Sequence, residues 1–134
     1  MADELTLEVV TPERRLLNRK VQSVVAPGVS GEFGVLPGHI TFMTLLGTGI
    51  LGFRTSDGVE ALVVSRGYCE VANNKVTVLA EAADLASEVD IKKAGEDLKA
   101  LEDKLRGKGP QDEDFGRLRA EVERAAAKVT LAGR

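Results

Sequence analysis

The sequence has little of what most reaction centres require. Among its 134 residues there is one histidine, one cysteine, one tyrosine and no tryptophan. The lone cysteine, Cys69, excludes an internal disulfide and fits a reducing cytosol. One His and one Cys fall short of the donor set of a usual metal site, so none is expected. Positive charge is not in surplus either: 18 basic side chains face 21 acidic ones, for a net charge of −3. Nucleic acid is therefore not an expected partner, because phosphate binding draws on excess Lys and Arg. No apolar run approaches the roughly 20 residues of a membrane helix, so direct membrane insertion is not expected. The opening Met-Ala-Asp-Glu is acidic, unlike a secretory leader. A phosphate loop is missing too, since Gly47-Thr48-Gly49 lacks the Gly-Lys-Ser/Thr ending and precedes a strand-like run.

What is present divides near Ser87. Residues 1–86 carry 10 acidic and 7 basic side chains, with 9 of the 14 Gly and 3 of the 4 Pro. Residues 87–134 carry 11 charges of each sign in little more than half that length. Two units with different folding rules are expected, 1–86 and 87–134.

The first unit reads as β. Leu5, Leu7 and Val9 alternate with Thr6, Glu8 and Val10, the period of a strand with one buried face, and Thr11-Pro12 ends the run. Short apolar runs follow at Val21–Ala26, Thr41–Leu46, Ile50–Thr55, Val59–Ser65, Tyr68–Ala72 and Lys75–Ala80. Between them stand turn formers: Pro27-Gly28, Gly47-Thr48-Gly49, Ser56-Asp57-Gly58 and Asn73-Asn74. Such spacing predicts a sandwich or barrel.

The second unit reads as two helices. Ile91, Ala94, Leu98, Leu101 and Leu105 recur at intervals of three and four, and Phe115, Leu118, Val122, Ala125, Ala126 and Val129 form a second stripe. Ser87 is placed to cap the first helix, with Asp90 in its first turn, and Gly107-Lys108-Gly109-Pro110 stops it. Asp112-Glu113-Asp114 caps the second. A short Gly/Pro linker between striped helices predicts an antiparallel hairpin. The seam is weak. Ala94, Ala125 and Ala126 add little buried area, and Gly95 and Gly116 each cost about 1 kcal/mol relative to Ala inside a helix. Such a pair is expected to be stable only when docked.

The most specific string is Ser30-Gly31-Glu32-Phe33-Gly34-Val35-Leu36-Pro37-Gly38-His39-Ile40. Its residues alone describe an irregular loop on a β domain, with bends at Gly31 and Gly34 and a turn at Leu36-Pro37-Gly38. The string closely resembles the ε subunit family of bacterial and chloroplast rotary ATP synthases, which carries Gly-x-x-Gly and then Leu-Pro-Gly-His at this distance from the start. Leu7–Pro12, Leu46 with Gly49-Ile50-Leu51, Gly67–Val71 and Lys75–Ala82 match as well.

The resemblance implies an α+β chain: an N-terminal β sandwich or barrel of about ten strands, then an antiparallel α-helical hairpin. It implies a subunit without a catalytic site of its own. The β unit would grip the γ subunit and the c-subunit ring through Gly31, Glu32, Gly34, Pro37, Gly38 and His39. The hairpin would be a mobile brake on ATP hydrolysis, meeting the α and β subunits of the catalytic head. No cofactor is required, and ATP with Mg is an expected regulatory ligand near Asp84, Asp90 and Lys93. The expected location is peripheral, on the cytoplasmic face of the bacterial plasma membrane. Three positions depart from the family pattern. Lys93 replaces an Arg, Asp84 a Glu, and Arg66 a Gly. Lys is a point charge without the planar fork of Arg, so the first replacement is not neutral at a phosphate.

Bland readings stand beside these. Asp90 suits a helix start whether or not it meets a nucleotide. Arg117, Arg124 and Lys128 fall on one side of the second helix, within a segment (117–134) that has three more positive than negative charges. They fit either a solvated face near a helix C-terminus or a basic stripe for an acidic partner. By the residues alone, a free-standing adaptor with a helical hairpin, and a hydrolase using Cys69 with His39, also remain open.

Overall fold

The computed structural model of the chain describes residues 4–133; Met1–Asp3 and Arg134 lie outside them. Eight strands precede two helices. They are β1 (Leu5–Val10), β2 (Arg15–Val21), β3 (Ser23–Gly28), β4 (Gly31–Val35), β5 (Phe42–Leu46), β6 (Gly49–Thr55), β7 (Gly58–Ala72) and β8 (Lys75–Leu85), followed by α1 (Ile91–Leu105) and α2 (Phe115–Ala132). The strands run in the order β2-β1-β8-β7-β5-β3-β4, with β6 paired to both β3 and β7. All pairings are antiparallel except β1 with β8, which is parallel.

The sheet folds over itself through its two longest strands. In β7, Leu62 and Val64 point into the core, and so do Cys69 and Val71. That spacing is odd, so the strand exchanges its faces between them. The exchange occurs at Arg66 (φ +37°) and Gly67 (φ +151°). β8 exchanges faces opposite, between Ala80 and Ala83. Residues 67–72 of β7 and 75–80 of β8 therefore belong to one layer with β1 and β5, and the near half of β7 (58–65) with residues 82–85 of β8 to another with β6 and β3. Leu5, Leu7, Val9, Leu51, Leu62, Val64, Val76 and Val78 fill the space between and are fully buried. Gly67 is obligatory, because a Cβ there would collide with the carbonyl oxygen of Leu79.

The strand count is eight among the described residues, not about ten. Val59–Ser65 and Tyr68–Ala72, separate by sequence, are one strand bent at Arg66-Gly67. β2 was hidden by charge: Arg15, Arg19 and Lys20 interrupt its alternation because it is a sheet edge, where charge blunts unwanted pairing. β4 was hidden by glycine and forms the opposite edge.

Helix α2 lies on the outer face of β6 and the near half of β7, and α1 packs on α2. Leu118, Ala125 and Leu131 of α2 and Ala94 of α1 are buried there, above Val63. Ser65 points the same way, and its buried hydroxyl has no hydrogen-bond partner.

Candidate functional site

Three groups of side chains carry the chemistry. The first lies at the end of the sandwich. Gly31, Glu32 and Gly34 are on edge strand β4, not in an irregular loop, because Val24–Gly28 of β3 pairs with Gly31–Val35 and satisfies its backbone. Pro37, Gly38 and His39 form the following turn, closed by the His39 N–H donating to the Leu36 carbonyl at 3.0 Å. The Gly38 N–H donates to Asn74 Oδ1 at 2.7 Å, tying this turn to the β7–β8 turn. There Asn73 and Asn74 adopt φ of +52° and +58°. His39 Nδ1 lies 2.7 Å from its neighbour's carbonyl, Ile40 O, and so is the protonated nitrogen. The His39 ring lies 5.0 Å from Phe42, which meets Phe33 edge-on. The turn is thereby fixed while Leu36 and Ile40 stand exposed on it, at 64% and 77%.

The second group is the junction between sandwich and hairpin. Asp90 caps α1: its Oδ1 accepts from the N–H groups of Lys92 (3.0 Å) and Lys93 (3.1 Å). Ser87, expected in that role, sits one step earlier, in a 3₁₀ turn over Ala86–Glu88. Asp90 takes the cap because it has the extended backbone that aims a carboxylate back at the first helical amides. Glu88 is held to the sandwich. Its carboxylate accepts from Arg14 Nη1 (2.7 Å), Arg14 Nη2 (2.8 Å) and the Leu85 N–H (2.9 Å). The Arg14 guanidinium, then the Leu85 amide, hold the Glu88 carboxyl down at about 2. Beyond it, Glu88, Asp90, Lys93, Asp97 and Lys128 line a cleft of about 210 Å³.

The third group joins hairpin to sheet. Asp84, on the outer face of β8 beside Val63, accepts from Arg124 Nε and Nη2, both at 2.9 Å, and lies 3.6 Å from Lys128 Nζ. The Asp84 side chain is only 15% exposed. Bidentate geometry and partial burial make this the strongest kind of surface pair, and Asp84 raises the affinity of the Arg124 guanidinium for its proton. Arg117 takes no part. It pairs on its own helix with Glu121 at 3.1 Å, and more loosely with Asp114 at 3.9 Å.

The residues singled out by sequence are thus regrouped. Asp84 stands with Arg124 and Lys128, while Asp90 and Lys93 share a cleft with Lys128. Gly31–His39 lies apart from both. Cys69 and His39 form no dyad. The Cys69 thiol faces the core, where burial pushes it up to about 11, and the imidazole sits outside on Phe42.

Sequence reasoning missed a row of exposed apolar side chains. Leu45, Tyr68 and Leu79 are neighbours across β5, β7 and β8, and Val10 of β1 continues the row. The first three are about half exposed (51%, 53% and 50%), and Met43 beside them is 63% exposed. Val10, Pro12, Tyr68 and Leu79 border a shallow cleft of about 440 Å³. The signal was available, since Tyr68 and Leu79 are apolar at positions that alternate with core residues.

A fold of this kind, a bent eight-stranded sandwich bearing a docked helical hairpin, has clear relatives. The model of the ATP synthase delta/epsilon chain β-sandwich domain matches residues 4–86, which defines the class. The chain belongs to the family of bacterial-type ATP synthase epsilon chains, non-catalytic subunits of that enzyme. It is 41% identical over 134 residues to the ATP synthase epsilon chain of Geotalea daltonii, covering 100% of this chain and 97% of that one. To the epsilon chain of Geotalea uraniireducens it is 42% identical over 135 residues, with the same coverage. Among solved structures, a chain of the Euglena gracilis mitochondrial ATP synthase, solved as OSCP/F1/c-ring in rotational state 1, shares the fold. The TM-score is 0.79 at 22% identity, over 95% of this chain and 80% of that one. A chain of the Tetrahymena thermophila central stalk and c-ring aligns with a TM-score of 0.57 at 15% identity, over 96% and 93%.

Proposed function

We propose that this chain is the coupling and braking subunit of the central stalk of a proton-translocating ATP synthase. It would sit peripherally on the cytoplasmic face of the bacterial plasma membrane. Among the described residues no helix is long and apolar enough to cross a membrane, so attachment in this reading is through protein partners. The observation that carries the proposal is the division of exposed surfaces. The fixed turn with Leu36 and Ile40, together with the row Leu45–Tyr68–Leu79, leaves apolar area in water that a monomer rarely exposes in one place. The sandwich in this reading docks the c-subunit ring through Glu32–His39 and the γ subunit through that row and the adjoining turn. The hairpin lies on the opposite outer face, held by a modest apolar seam and one ion-pair cluster. It swings away to set Arg117, Arg124 and Lys128 against an acidic surface of the α and β subunits, arresting hydrolysis.

ATP sensing belongs to the same proposal, and its support is narrower. The cleft at Asp90 and Lys93 is smaller than a usual small-molecule site and holds three carboxylates against two lysines. The interhelical groove beside it, about 360 Å³, shares Asp97 and Lys128 with that cleft and adds Lys104 and Arg124. Only the two together match a nucleotide in size. Lys93 and Lys128 would then hold the phosphates, and Asp90 would fix the amides of Lys92 and Lys93 by capping. Asp84 stands outside the cleft and would act through Arg124 and Lys128. Magnesium would offset phosphate charge beside Asp90 and Asp97.

The test is a chain ending at Leu85, reconstituted with the remaining subunits. The truncated chain is expected to fold and assemble, and ATP hydrolysis by the complex is expected to rise severalfold. Failure to assemble would remove the sandwich-docking reading. Assembly with unchanged hydrolysis would remove the brake.

A further inference from the structure

The contact that holds the hairpin down uses the cations that the brake would need. Arg124 spends both its Nε and Nη2 on Asp84, at 2.9 Å each, and Lys128 Nζ adds a third approach at 3.6 Å. Arg117, the remaining member of the stripe, is committed only to neighbours on its own helix. A guanidinium fork that grips one carboxylate through these two nitrogens cannot present the same edge to another. We infer that Asp84 is an internal competitor for the acidic partner surface: it occupies Arg124 and Lys128 while the hairpin is docked, and the brake engages only as those two cations leave it.

Three features of the fold support the inference. Asp84 is fixed, because it lies within β8 and pairs in register with Val63 of β7, so its carboxylate stays with the sandwich when the helices move. The junction is also fixed up to Glu88, which Arg14 and the Leu85 amide hold to the sandwich. Motion is thereby confined to the chain after Glu88, at Val89 and the Asp90 cap, and the swing separates Arg124 from Asp84 directly. The apolar part of the docked face is small and lies beside the buried, unpartnered Ser65 hydroxyl, which leaves an ion-pair cluster to weigh heavily in the balance.

The prediction is asymmetric. Asp84→Asn and Arg124→Gln each remove the contact, so both should free the hairpin. In the assembled enzyme their effects should be opposite. Asp84→Asn leaves the cations available and deepens inhibition, whereas Arg124→Gln removes a cation the partner needs and relieves it.

The inference rests on the brake reading, and the experiment separates the two. Spin labels on cysteines at Glu70 and Lys99, both exposed, report hairpin position in the full isolated chain; buried Cys69 stays unlabelled. Asp84→Asn should raise the undocked population about tenfold, and the double variant should do no more than either single one, as expected for partners in one contact. Hydrolysis of the reconstituted complex is then compared for the two single variants. If Asp84→Asn leaves the docked distance unchanged, Asp84 is no competitor, whatever the hydrolysis. If both variants undock the hairpin but hydrolysis rises equally in both, Asp84 holds the hairpin without competing for a partner, and the inference is overturned. If both undock it and hydrolysis is unchanged in both, the brake reading falls as well. Undocking in both, with hydrolysis falling for Asp84→Asn and rising for Arg124→Gln, supports the competition.

Discussion

The sandwich and the hairpin are held by different means. In the sandwich, both layers contribute fully buried Leu and Val side chains to one core, and the backbone is paired across every strand. Among the described residues of the hairpin, only Ala94, Leu118, Ala125 and Leu131 are buried, and Ile91 at the head of the first stripe is 57% exposed. Packing at the sandwich scale is insensitive to salt and to small charge changes. The hairpin is attached by a thin apolar seam plus Asp84 with Arg124 and Lys128, so its position responds to charge. One unit is held by a continuous core and the other by a contact that a change of charge weakens, and the boundary between them is pinned at Glu88.

Breaking the sandwich gives the largest effect. Gly67→Ala places a methyl group against the Leu79 carbonyl at the bend that lets β7 serve both layers. Neither strand can retreat without losing pairing, so a loss of about 3 kcal/mol or more is expected, in the range of severe core lesions. Guanidinium unfolding of the variant should show a lower midpoint for the whole protein. A change confined to the hairpin would show that the bend is not structural.

The junction sharpens the comparison at intermediate scale. Glu88 has its carboxyl depressed from the usual 4.5 to about 2 by Arg14 and the Leu85 amide. A depressed carboxyl stabilises the folded state above its unfolded value, and that contribution is lost as pH falls from about 4.5 towards 2. Arg14→Gln removes the first of the two causes. Glu88, followed by carboxyl NMR, should then titrate closer to 4.5, and the linker amides should exchange faster near pH 7. A titration midpoint that did not move would show that Arg14 does not pin the hinge.

The smallest effect is a gain. Gly95, inside α1, has open space where a Cβ would stand. Gly95→Ala should stabilise the hairpin by roughly 0.5–1 kcal/mol and slow amide exchange in α1 alone. Slowed exchange in the sandwich core as well would mean that the two units unfold together.

Much of the fold was legible because its causes are local. Alternation marked β1, apolar runs between turn formers marked β3, β5, β6, the two halves of β7 and the first part of β8, and stripes marked both helices. Asn73-Asn74 and Asp57-Gly58 marked the hairpin turns. What was not legible had non-local causes. Arg15–Val21, interrupted by charge, shows no strand signal of its own and becomes a strand only because β1 lies beside it. Ser87 reads as the helix cap, but Asp90 takes that position, and Ser87 lies in a 3₁₀ turn beside Glu88, which is anchored by Arg14, distant in sequence. Gly31–Val35 reads as a loop and is a strand through its pairing with β3.

The site divides in the same way. The sequence by itself determined that the two parts of the chain obey different periodicities and that Arg117, Arg124 and Lys128 share a helix face, because each of these depends on spacing along the chain. Only the tertiary structure decided that Asp84 meets Arg124 and Lys128, that Arg117 does not join them, and that Leu45, Tyr68 and Leu79 stand in a row. Those facts depend on where the bend at Gly67 and the docking of α2 place residues far apart in sequence, and an ion pair across 40 positions leaves no local trace.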